Sequence, residues 1–159
     1  MSNGISQIAV VVRDLDASMK VYHELLGWGP WNVYEHVPPA LHSTHVRGEP
    51  VEFSMLGAET DVDGIGFELV QPLTGPTIYQ EFLDKYGEGI QHIAVMKHTQ
   101  TESDEFKQTM SESGASVLMG GRIGETIEFY YLDTAPMLKF VLESGSGHAI
   151  DLVPSRQYP

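Results

Sequence analysis

Three residues of the 159-residue chain carry metal-ligating atoms inside otherwise apolar runs: Gln7 in Gln-Ile-Ala-Val-Val, Glu68 in Phe-Glu-Leu-Val and His92 in His-Ile-Ala-Val. A lone carboxylate among large apolar neighbours is costly unless it is paired or bound to a cation, so Glu68 predicts a buried partner. A fourth donor is expected near the end of the chain, where Glu143 closes Leu-Lys-Phe-Val-Leu-Glu and Asp151 stands in Ile-Asp-Leu-Val; these residues by themselves leave the two open. The chain contains no cysteine, which excludes disulfides, thiolate nucleophiles and sulfur-ligated zinc or iron–sulfur centres. Oxygen donors with one imidazole suit a single divalent ion, Co, Ni, Mn, Mg or Zn, and fit soft copper poorly. Such an ion stabilises the negative charge that develops when a proton leaves the carbon beside a carbonyl. A carboxylate close by, its pKa raised by burial, would move that proton.

The elements that must position these residues follow from an internal repeat. Ile5-Ser-Gln-Ile-Ala-Val-Val recurs as Ile90-Gln-His-Ile-Ala-Val-Met, with Gln7 and His92 at equivalent positions. Each copy reads as a strand followed by a helix. In the first, Leu15, Met19, Tyr22 and Leu26 share a face, with Asp14 as N-cap and Gly27 as stop; in the second, Phe106 and Met110 share a face that ends at Gly114. Strand-like runs come next: Trp31 to Tyr34, Val51 to Leu56 and Gly66 to Val70, then Ser116 to Met119, Thr126 to Leu132 and Leu138 to Glu143, with a short extra run from Ala149 to Val153. The prediction is an α+β fold of two βαβββ modules, packed with pseudo-twofold symmetry around a metal-binding cleft. We expect one domain over 1–159, with modules at 5–72 and 89–144 and a C-terminal extension at 145–159. A linking helix is expected over 76–87, because Thr77 and Gln80 have capping-box spacing. The stretch from His36 to His45 reads as a long irregular loop whose three histidines are exposed on a lid.

Composition bounds the partners. With 22 acidic and 9 basic residues the formal charge is −13, which opposes nucleic acid, since phosphate contacts need a basic patch. No run of about 18 apolar residues occurs and the first residues lack the order of an export signal, so neither a membrane span nor secretion is expected and the cytoplasm is the default compartment.

The segments Gln7-Ile-Ala-Val-Val-Val-Arg-Asp-Leu-Asp, Tyr22-His-Glu-Leu-Leu-Gly-Trp, Phe67-Glu-Leu-Val-Gln-Pro-Leu and Gly87-Glu-Gly-Ile-Gln-His-Ile-Ala-Val resemble the vicinal oxygen chelate (glyoxalase/bleomycin-resistance) superfamily, and within it methylmalonyl-CoA epimerase-like proteins. The resemblance spans residues 4 to 144. It implies one divalent metal held by four side chains, which map onto Gln7, Glu68, His92 and, by ungapped match through Tyr130-Tyr-Leu-Asp to the closing strand, Glu143. It also implies a cytoplasmic homodimer that acts on a small carbonyl substrate, an acyl-CoA or keto compound, by proton transfer through an enolate. Glu52 matches a catalytic glutamate of some epimerases, and Glu143 is the candidate second acid/base. The epimerases resembled carry His where this chain has Gln7, and a Gln, Glu, His, Glu set is that of one glyoxalase I branch. A glyoxalase-type lyase is therefore an alternative, although the arginine that lyase uses for glutathione falls on Val11. A non-catalytic small-molecule-binding protein of the same fold is the third reading.

Overall fold

The computed structural model describes residues 3–147 and 152–159. The first half runs β1 (Gln7–Val11), α1 (Leu15–Leu26), β2 (Trp31–His36), β3 (Leu41–Val46), β4 (Glu49–Pro50), β5 (Ser54–Val62) and β6 (Ile65–Thr74). After α2 (Ile78–Tyr86) the second half runs β7 (Gly89–Ala94), α3 (Gln100–Glu112), β8 (Val117–Ile123), β9 (Ile127–Leu132), α4 (Ala135–Leu138) and β10 (Val141–Ser146), and β11 (Arg156–Tyr158) follows. Helix α1 is capped as its sequence predicts: the Asp14 carboxylate accepts from Ala17 N–H and Gly27 closes the helix at φ 70°, a left-handed conformation that glycine adopts without a Cβ clash. Thr77 caps α2 through Gln80 N–H.

Among the described residues all the strands join one eleven-stranded mixed sheet, in the order β11-β2-β5-β6-β1-β7-β10-β9-β8-β3-β4. The order is palindromic about the β1/β7 seam. β1 runs parallel to β6 as β7 does to β10, and β5 and β9 then follow antiparallel on either side. These are two βαβββ units related by a pseudo-twofold, and the α+β fold is the predicted one. Alternation along the strands separates two faces. Val10, Val33, Ala58, Phe67 and Leu69 pack outward under α1 with Leu15, Met19 and Trp31, and Leu132 and Leu142 pack under α3. The opposite face of the same strands turns inward, which is where Gln7 and Glu68 fall.

Three local expectations are corrected. The strand expected over 51–56 begins later and runs longer, Ser54–Val62, because the residues after Gly57 stay in register with β6. The segment expected to be irregular contains β3, which crosses the sheet to pair with β8 of the other half; such a pairing has no local signature. Residues 145 and 146, expected to open the C-terminal extension, continue β10 along β9. Of the run expected over 149–153, residues 149–151 lie outside the described residues; further on, β11 adds to the edge of β2.

Candidate metal centre

The site is built at the seam. In parallel register, Ala9 of β1 pairs with Glu68 of β6 and Ala94 of β7 pairs with Glu143 of β10. Glu68 and Glu143 are thus equivalent positions of the two units, one flanking each central strand. His92 is fully buried between them, with Nε2 at 3.4 Å from Glu68 Oε2 and 3.2 Å from Glu143 Oε2. One ligating atom from each of the three lies within 4.8 Å of the others.

A backbone irregularity aims the imidazole. The β1/β7 register pairs Ala9 with His92 and Val10 with Ile90, which leaves Gln91 as the extra residue of a β-bulge. A bulge breaks strict alternation, and Gln91 and His92, consecutive in sequence, are both buried. Gln91 Oε1 lies 2.6 Å from His92 Nδ1. The amide oxygen can only accept, so Nδ1 carries a proton and Nε2 faces the two carboxylates, where the neutral ring offers its lone pair to a metal. His92 Nε2 and Glu143 Oε2 are buried with no hydrogen-bond partner. Unsatisfied buried polar atoms of this kind are costly and call for an unseen partner. A lone-pair nitrogen between two carboxylates is a donor set that fits a divalent cation. In the metal-free protein burial opposes a charge on His92, but Glu143 and Glu68 outweigh it and raise its pKa to about 9.

Glu68 and Glu143 border a cavity of about 260 Å³, whose wall also includes Gln7, His36, Glu59, Tyr79 and Tyr131. Glu59 stands opposite Glu68 on β5, and its Oε1 accepts from Gln7 Nε2 at 3.2 Å. That bond leaves the Gln7 amide oxygen as its only atom available to a cation. Burial, with the charges of Glu68 and Glu143, pushes Glu59 up to about 8. Gly57 lies beside these groups: a Cβ there would sit 3.2 Å from Glu68 Oε1 and 3.5 Å from His36 Nε2. His36 is stacked on Tyr34, and burial lowers its pKa to about 4, so the ring is neutral. From α2, the Tyr79 hydroxyl meets that of Tyr131, and burial raises both phenols well above their usual value.

Of the residues singled out in the sequence, Gln7, Glu68 and Glu143 line this cavity, and His92 lies against the two carboxylates. Asp151 lies outside the described residues. Glu52 does not join them: it is exposed in the segment that precedes β5 and is absent from the cavity wall. The shifted start of β5 is the reason, since Glu52 is not on the strand at all. Of the three histidines expected on a lid, His36 is buried in the cavity wall, His42 is exposed and bonded to the Gly124 carbonyl, and His45 faces a separate hollow with Lys107. Val11 is fully buried in the core. Glu59 and Gln91 were not anticipated. An acidic residue after the small pair Gly57-Ala58 was the available signal for the first, and a second polar residue beside His92 for the second.

Residues 6–131 match the family model described as glyoxalase/bleomycin resistance protein/dioxygenase superfamily. No curated protein matches the chain. Among solved structures it is similar to methylmalonyl-CoA epimerase from Mycobacterium tuberculosis, with 19% identity, 94% of this chain and 91% of the other covered, and a TM-score of 0.65. A hypothetical protein from Bacillus halodurans is 18% identical over 93% of this chain and 96% of that one, with a TM-score of 0.62. A variant of Streptomyces coelicolor methylmalonyl-CoA epimerase in complex with 2-nitronate-propionyl-CoA is 22% identical over 94% of this chain and 100% of that one, with a TM-score of 0.59. At these identities the likeness is one of fold, with the same paired units around a cleft. The family match over most of the chain and the palindromic sheet agree, and the chain belongs to the glyoxalase/bleomycin resistance protein/dioxygenase superfamily.

Proposed function

We propose that the protein is a divalent-metal-dependent epimerase or isomerase that moves a proton on the carbon beside a carbonyl, with Gln7, Glu68, His92 and Glu143 as the residues that would hold the ion. The observation that carries this reading is the pair of buried, unpartnered ligand atoms, His92 Nε2 and Glu143 Oε2, set with Glu68 beside a cavity that also contains Glu59. A bound divalent ion supplies a Lewis acid that makes negative charge on a carbonyl oxygen affordable. Glu59 is the candidate acid/base in place of Glu52. With its pKa pushed up to about 8 by burial and neighbouring carboxylates, it can both take and return a proton near neutral pH. The Gln7 amide donates to it and orients it. Glu143, on the far side of the β1/β7 seam from Glu59, is the candidate second acid/base, which would exchange a proton at the opposite face on leaving the ion when substrate binds. The similarity of fold to the epimerases supports the same class of chemistry.

Elemental analysis of the purified protein and of His92→Ala, together with deuterium wash-in at the α-carbon of carbonyl compounds in heavy water, tests the reading. The expected result is about one divalent ion per chain in the wild type, loss of that ion in His92→Ala, and a fall in exchange of roughly 100-fold or more in Glu59→Gln. A protein that takes up no ion and exchanges no proton is the non-catalytic binder and overturns it.

A further inference from the structure

None of the nine basic residues of this chain lines the cavity. Among the described residues its wall holds three carboxyl groups, Glu59, Glu68 and Glu143, and no lysine or arginine. The undescribed stretch 148–151, His-Ala-Ile-Asp, contains neither. Four of the nine basic residues are committed to acidic partners: Lys20 to Glu24, Arg47 to Glu81, Lys107 to Glu128 and Arg156 to Asp16. Arg122 is next to the wall residue Ile123 on β8, but alternation sends it to a separate hollow with Lys107 and His45. The hydrogen-bonding side chains that remain on the described wall are uncharged: the Tyr79 and Tyr131 phenols, the Ser6 hydroxyl, the Gln7 amide and the His36 imidazole. Met55, Ile123, Ile127 and Phe129 make the rest of it apolar.

A divalent ion at the proposed centre would be balanced by Glu68 and Glu143, which leaves no surplus positive charge, and Glu59 adds a further acidic group. A carboxylate placed here would lose its hydration with no lysine or arginine on the described wall to compensate it, and it would lie beside the charges of Glu68 and Glu143, which selects against such a ligand strongly. The cavity, at about 260 Å³, also falls below the roughly 300–1,000 Å³ usual for drug-sized ligands. Building on the enolising reading given above, we propose that the substrate is a small, uncharged carbonyl compound with an apolar substituent, and not a compound that bears a free carboxylate. One of the similar epimerase structures holds methylmalonyl-CoA; the inference is that this chain shares the fold but not that charge on its substrate.

A matched pair of probes that differ by one charge decides it: the N-acetylcysteamine thioester of methylmalonic acid and the methyl ester of the same compound. Binding to the Mn-loaded protein is measured by calorimetry, and α-deuterium exchange in heavy water by NMR against each probe's uncatalysed rate. The ester is expected to bind at least about tenfold more tightly than the acid. Equal or tighter binding of the acid, or no binding of either, overturns the inference. Binding of the ester without catalysed exchange leaves the inference standing and overturns the enolising function on which it builds. As a second arm, Ile123→Lys places a cation on the wall and should raise affinity for the acid by about tenfold; a variant that keeps the wild-type circular dichroism yet gains none counts against the proposal.

Discussion

At the scale of single residues, the site depends on how His92 is held as much as on the carboxylates beside it. Gln91 accepts from Nδ1 because a bulge turns two consecutive side chains inward, and such an outer partner fixes both tautomer and ring orientation. Gln91→Leu should therefore weaken metal binding by about 10–100-fold while leaving the far-UV circular dichroism unchanged; unchanged affinity in a folded variant would remove Gln91 from the centre. Proton competition gives a second expectation. In the metal-free protein burial disfavours the imidazolium, but the adjacent Glu143 and Glu68 keep it charged up to about pH 9, and a ligating nitrogen must be neutral. Loading releases that proton, so apparent affinity should rise with pH, by about tenfold per unit at most, and level off above about 9. Calorimetry in buffers of different ionisation enthalpy would count the proton, and an affinity independent of pH between neutrality and that limit would contradict it.

At the scale of elements, the two N-caps separate stability from site geometry. Asp14 accepts from Ala17 N–H at the start of α1, and Thr77 accepts from Gln80 N–H at the start of α2. Replacing either by alanine should cost about 1 kcal/mol, read as a shift in the denaturant midpoint. Their effects on the site should differ. Helix α2 carries Tyr79, whose hydroxyl meets Tyr131 in the cavity wall, whereas α1 packs on the outer face of the sheet. Thr77→Ala should weaken ligand binding in the cavity and Asp14→Ala should not. Strand β3 is the other element with a reach beyond its own unit. It leaves β2 at one end of the sheet order and pairs with β8 near the other, tying the first half to the second.

At the scale of the whole molecule, the pseudo-twofold brings one carboxylate from each half to the same place, so metal binding and global stability are linked. A ligand that binds only the folded state at about a hundred times its Kd adds about 2.7 kcal/mol. For a chain of this length that is a rise in Tm of roughly 5–10 °C on loading, reversed by a chelator. The rise should vanish in His92→Ala, and calorimetric scans of both proteins with and without Mn²⁺ check it. An equal rise in the variant would place the ion elsewhere.

Local pattern in the sequence determined the types of the main elements, the repeat that makes two βαβββ units, both helix caps and the polar residues that interrupt apolar strands at 7, 68 and 92, whereas β3, α4 and β11 escaped it and the strand expected from Leu138 begins only at Val141. These are readable because capping and alternation act within a few residues. Tertiary structure alone decided which polar residues share a space. Glu143 stands at the register position equivalent to that of Glu68 because β10 lies parallel to β7 as β6 does to β1, a relation that α4 and an inexact repeat hide from the linear chain. Glu52 and Glu59 are both glutamates near one strand, and only the pairing of β5 with β6 puts Glu59 opposite Glu68 and leaves Glu52 in solvent. The bulge at Gln91, the crossing of β3 and the edge pairing of β11 are likewise contacts between residues far apart in sequence. Their energy comes from the partner strand, so no local pattern in the chain records them.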